Sequence, residues 1–174
     1  TGAESQMPSP LSMLIVVAFF GLLALVVYND VRELRIPNGI PLSLLALYPA
    51  YVLIAAPGTG GWLAVAIAGA VLVLGMAAFA AELVGGGDVK LLAVLTLWAG
   101  PAGVVDMIVI TAFVGGGMAL LMLSPLRHVM AGASDAIGAT AIRDTLLGRH
   151  LPYGVAIVAG ALVSIGPGVL ALIR

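Results

Sequence analysis

Cysteine is absent from the 174 residues, which excludes disulfides, thiolate nucleophiles and Cys-based zinc modules. Charge is nearly as scarce. Seven Lys or Arg and eight Asp or Glu make up 9% of the chain, where a soluble domain carries roughly 25%. So few charges cannot cover a water-facing surface. The net charge of −1 leaves no basic footprint, so nucleic acid is excluded as a partner. Hydrolytic signatures are missing as well: His128 and His150 lack the HExxH spacing, and no Ser stands in a GxSxG context.

What is present is apolar. Hydrophobic residues make up 62% of the chain, and the mean hydropathy is +1.21. One membrane-spanning helix uses ~20 such residues at 1.5 Å rise, so the chain has enough for five to seven spans and almost nothing over for a soluble domain. Six apolar segments separate at charged or Gly/Pro-rich breaks: residues 11–28, 40–56, 62–81, 88–99, 104–123 and 152–173. Pro49 is expected to kink the second. The fourth is short, at roughly 18 Å of helix. The ten residues before the first segment carry no Lys or Arg, so it reads as a permanent span rather than a cleavable signal. The one long connection is 124–151, where Leu126, Val129, Met130, Ala133 and Ile137 recur at helical spacing, with Arg127, His128 and Asp135 elsewhere on the turn. That pattern predicts an amphipathic helix lying at the membrane surface, its basic residues against anionic headgroups. The expected fold is therefore all-α and polytopic: about six transmembrane helices with a short fourth span and an interfacial loop helix, forming one domain over 1–174.

The charges cluster. Four (Asp30, Arg32, Glu33, Arg35) fall in the first loop, three (Glu82, Asp88, Lys90) around the third, and five (Arg127, Asp135, Arg143, Asp144, Arg149) in the fifth. Six of the seven basic residues thus lie in odd-numbered loops, leaving only Arg174 at the C-terminus. By the positive-inside rule those loops are cytoplasmic, and six spans put both termini outside.

Two acids stand at the cytoplasmic mouths of spans. Asp30 occurs in Tyr28-Asn29-Asp30-Val31-Arg32, and Asp88 follows three glycines in Gly85-Gly86-Gly87-Asp88-Val89-Lys90. Each has a plain explanation, since a carboxylate can solvate a helix end, and one near a helix N-terminus complements the dipole. Their common membrane face on two separate spans favours chemistry instead. Two carboxylates within a few ångströms do not both ionise cheaply and titrate as a pair sharing a proton. One can take a proton from water attacking a peptide carbonyl while the other donates one. This chemistry requires no metal, cofactor or nucleophilic side chain. Gly85, Gly86 and Gly87 would let an extended substrate backbone lie beside Asp88, the alternative being a flexible loop or a close helix contact. Gly115-Gly116-Gly117, inside the fifth span with no acid beside it, is explained by helix packing. Asn38 is placed to cap the second span, and Pro37 fixes the chain direction before it. Lys90 either tunes Asp88, contacts substrate or is a plain membrane anchor; Glu33 and Glu82 either receive a basic segment of substrate or, more simply, are solvated loop charges, and Asp106 has no assigned role.

Asp30 followed by Arg35-Ile36-Pro37-Asn38, then Gly85 to Lys90, and finally Leu151-Pro152-Tyr153-Gly154 resembles the type IV prepilin peptidases, the GxGD class of intramembrane aspartyl proteases. The resemblance implies that Asp30 and Asp88 are the catalytic pair. It also implies an enzyme of the bacterial inner membrane that cuts the short basic leader from pilin precursors on the cytoplasmic side, with membrane lipid and the pilus or secretion machinery as further contacts. Longer members carry an N-terminal module with Cys tetrads, linked to methylation of the new N-terminus. With no Cys, this chain is expected to lack that module and is similar to the short peptidases of tight-adherence, Flp-type pili. Val155 stands where a Pro often follows the Pro-Tyr-Gly stretch. The competing class is a small transporter or channel component using its acids as proton or cation sites. Such sites sit near the bilayer midplane, whereas these acids stand at span ends.

Overall fold

The computed structural model describes residues 9–55, 61–136, 138–148 and 151–173, and among them every regular element is helical. Ala56, Ile137, Arg149, His150 and Arg174, which enter the sequence argument above, lie outside the described residues.

Helix α1 (Pro10–Glu33) starts on Ser9, whose side chain accepts the Ser12 N–H, with Pro10 in the first turn where its missing donor costs nothing. It ends where Leu34 takes a left-handed conformation (φ 50°) and returns its N–H to the Asp30 carbonyl. That reversal throws residues 35–38 back across the helix end. Helix α2 (Gly39–Ala55) follows and runs through Pro49, and α3 is Trp62–Ala80.

Helix α4 (Gly86–Leu123) joins the segments expected as the fourth and fifth spans. It breaks at Gly100, whose φ of 63° with ψ of −177° is open only to glycine, and Pro101 follows. The break is a fold-back. Leu92 and Ala119 line one cavity of ≈350 Å³, yet in a straight helix about 27 residues would hold them roughly 40 Å apart. The arms 86–99 and 101–123 therefore run antiparallel.

The expected loop helix is two helices, α5 (Leu126–Ala136) and α6 (Thr140–Leu147), separated near Gly138 with its φ of 75°. Arg143 joins them, pairing with Asp135 at 2.9 Å and Asp144 at 2.8 Å. The last apolar segment is also divided, into α7 (Tyr153–Ser164) and α8 (Gly166–Leu170), the latter followed by a 3-10 turn, Ala171–Ile173. The two pieces bend by 53°, because Pro167 has no N–H to give and its ring crowds the preceding turn.

Helices α1, α3 and α4 are each long and apolar enough to cross a membrane, and the bent pair at the C-terminus makes a fourth if it counts as one span. Helix α2 is apolar but shorter. Among the described residues, three or four helices are thus candidate crossings by length and composition, and the expected six are not shown by that criterion.

Trp98 anchors the core at the end of the first α4 arm. Its ring lies 4.7 Å from Phe19 of α1 and 4.7 Å from Tyr51 of α2, and its Nε1–H donates to the Leu44 carbonyl at 3.1 Å. Ile15, Leu23 and Val26 of α1, Leu44 of α2, Leu91 and Leu95 of α4 and Ile157 of α7 belong to the same cluster. Because lipid is as apolar as this core, cohesion comes from packing and the indole hydrogen bond rather than from expelled water. Trp98→Ala is expected to destabilise the fold by about 3 kcal/mol, the lower end for a large aromatic truncation. Trp98→Phe is expected to lose only about 1 kcal/mol with its hydrogen bond. Reversible unfolding in mixed micelles would measure both.

Candidate active site

Asp30 lies one turn before the end of α1 and is only 4% exposed. A buried carboxylate needs donors, and α7 supplies them. The Val155 N–H donates to Asp30 Oδ2 at 3.2 Å, and the Gly154 N–H is a second partner. Both amides belong to the first turn of α7, where the dipole favours an anion, and the Val155 N–H is shared between Asp30 and the Pro152 carbonyl at 3.2 Å. The fit is close. A β-carbon on Gly154 would lie 2.8 Å from Asp30 Oδ2 and 3.0 Å from Ile36 Cδ1.

Asp88 occupies the third position of α4 after the capping residue Gly85, and its carboxylate accepts the Gly85 N–H. An acid in the first turn reaching back to the cap amide forms half of a capping box, so the residue also secures its own helix. The charge of Asp30 acts on Asp88. Both carboxylates line one cavity of ≈550 Å³, together with Pro37, Asn38, Gly85, Gly86, Gly87 and Lys90. All eight positions singled out in the sequence are therefore brought to one place. Leu34, Arg35, Ile36 and Phe79 line it too.

The glycines serve the chain's own packing. A β-carbon on Gly87 would stand 3.1 Å from the Ile36 carbonyl oxygen, one on Gly86 would stand 3.3 Å from the Phe79 ring, and one on Gly85 would meet Asp88 Oδ2 at 2.8 Å. Gly86 and Gly87 thus leave little room for a side chain while still lining the cavity, and Gly85 is the most exposed of the three. Gly115 packs against Tyr153 and Ala156 as a helix contact requires, but Gly116 and Gly117 have nothing against them. Asn38 sits at the start of α2, its carbonyl accepting the Leu42 N–H, while its side chain turns to Lys90 instead of capping. Lys90 Nζ donates to Asn38 Oδ1 at 2.9 Å and so ties the first loop to α4. Glu33 lines a neighbouring cavity of ≈440 Å³ with Asp144, and neither Glu82 nor Asp106 lines the cavity of the acids.

Ile36, Gly154 and Val155 were missed as site residues. Ile36 is buried between Gly87 and Gly154, so one apolar side chain sets the spacing of the two motifs that carry the acids' neighbours. The Pro-Tyr-Gly stretch was the available signal, since a glycine opening an apolar helix marks a close approach.

A family model described as the type IV leader peptidase family matches residues 17–120, which include both acids. The chain belongs to the type IV leader peptidase family. It is a prepilin leader peptidase by family and an aspartyl intramembrane protease by class. No curated protein and no solved structure matches the chain. The matched span of this leader peptidase ends before α7, so the amides that hold Asp30 come from outside it. Among the described residues, no three His, Cys, Asp or Glu side chains group closely enough to hold a metal ion. The carboxylate pair can itself move both protons that amide hydrolysis requires, one from water and one to the leaving group.

Proposed function

We propose that Asp30 and Asp88 are the catalytic pair with which this leader peptidase hydrolyses the bond between the leader and the hydrophobic helix of a pilin precursor. The observation that carries the reading is their meeting, from two separate helices, at a single cavity. Water held between them would attack the scissile carbonyl as one carboxylate takes its proton and the other protonates the leaving amine. The precursor helix must unwind locally there, since a peptide bond inside an intact helix is shielded. Asn38 and Lys90 brace the loop beside Asp88, and Pro37 directs it.

The reaction is assigned to the cytoplasmic boundary of the bacterial inner membrane. In support, charged loops converge at one end of the bundle: Lys90 bonds Asn38, and Thr145 of α6 donates to the Val31 carbonyl at 2.9 Å. Six crossings, counting the two arms of α4, α2 and the broken C-terminal helix, put the basic loops on a single side and both termini on the other. Helices α5 and α6 then lie at the interface. The substrates are taken to be Flp-like pilin precursors, and the whole chain to be one peptidase domain.

Purified protein in lipid nanodiscs is to be incubated with candidate pilin precursors and the new N-terminus read by mass spectrometry. A single cut at the junction of leader and helix is expected. Ion or proton flux through proteoliposomes, without cleavage of any precursor, would transfer the chain to the transporter class.

A further inference from the structure

We infer that an apolar groove opening beside Asp88 receives the first two turns of the precursor's hydrophobic helix and so places the scissile bond between the acids. The inference rests on the function proposed above. The groove is a cavity of ≈380 Å³ walled by Leu74 and Ala78 of α3, Leu92 and Ile108 from the two arms of α4, and Tyr153 of α7. Asp88 belongs both to this groove and to the cavity it shares with Asp30. The carboxylate therefore stands at a boundary of polarity. On one side are Arg35, Asn38 and Lys90; on the other Asp88 itself is the one charged residue in the lining.

That boundary matches one kind of occupant, a chain that changes from polar to continuously apolar at the bond to be cut. A leader followed by a membrane helix has this form, whereas a wholly polar peptide would leave the groove unfilled. From Ala78 back to Val71, the length of α3 that lines the groove is about two turns, ~10 Å. Leu74 is 71% exposed and Ile108 43% exposed, so the groove is open sideways and a helix can enter from the bilayer without passing through water. A second cavity of ≈350 Å³ shares Leu92, Ile108 and Tyr153 with the first and exposes Gly116, against which nothing packs. Helices approach most closely over such small residues.

The test places a photo-crosslinking amino acid at Leu74, Ile108 or Phe113 in full-length protein carrying Asp88→Asn, reconstituted in nanodiscs. The probe is a pilin precursor that the unmodified chain cleaves. Phe113 is 78% exposed and lies outside the groove. At least ten-fold more adduct is expected at Leu74 and Ile108 than at Phe113, with the crosslinks mapping to the first two turns after the cleavage site. Equal adduct at all three positions, or none at Leu74 and Ile108, would overturn the groove while leaving the peptidase intact. If the unmodified chain cleaves no precursor, the function proposed above fails first and takes the groove with it.

Discussion

Asp30→Asn and Asp88→Asn are each expected to lower precursor cleavage by about 10³-fold or more, while the protein still inserts and folds. General acid–base catalysis by one positioned group supplies about 10²–10⁴-fold, and here each carboxylate would carry one of the two proton transfers, so losing either stops the pair. The amide is nearly isosteric, so the surroundings have little reason to change. Asn at position 30 keeps an oxygen for the Val155 N–H, the contact that Asp30 Oδ2 now accepts at 3.2 Å. Asn at position 88 can still accept the Gly85 N–H and hold the helix start. The double variant is expected to be no worse than either single one, because groups that act as a unit lose their whole effect when one is removed. Cleavage rates in nanodiscs, alongside thermal unfolding of each variant, would decide it. Near-normal cleavage by either folded variant would end the two-carboxylate mechanism.

The acids were legible because charge is so rare here. With 15 charged residues in 174, an acid beside three glycines and another at the end of the first span have few rivals for attention. Helicity and candidate membrane spans followed from composition, and two acids at the ends of separate apolar segments pointed to the single cavity that both line. The rest depended on contacts that a linear reading does not rank. Val155 reaches Asp30 across 125 positions, and it does so through a backbone amide that every residue but proline possesses. Ile36 is one isoleucine in a chain rich in them, and only packing between Gly87 and Gly154 distinguishes it. Span counting met a similar limit. Hydropathy sees apolar length, but the Gly100 fold-back between the two arms of α4 and the Pro167 bend in the last segment decide how that length is divided.

Gly154→Ala is expected to lower kcat by about 10²-fold with little loss of stability, even though it adds a single methyl group to a residue with no chemistry of its own. The new β-carbon would fall 2.8 Å from Asp30 Oδ2 and 3.0 Å from both Asp30 Cγ and Ile36 Cδ1. Something must move. The α7 backbone is held from behind by Ala156, Ile157 and Ala161 in the core, so the carboxylate yields instead. Asp30 lines the cavity it shares with Asp88, so it shifts into that space, away from the Gly154 and Val155 amides. A displacement near 1 Å of a reacting group costs about 10²-fold in rate. Gly21→Ala, on the same helix as Asp30 but with nothing within 4 Å, is the matched control and should leave cleavage unchanged. Adding Ile36→Val to Gly154→Ala removes Cδ1, one of the three close contacts, and should recover several-fold of the lost rate. A merely looser fold would not respond that way, because trimming a buried isoleucine costs further stability. Full activity in Gly154→Ala would mean that α7 does not position Asp30.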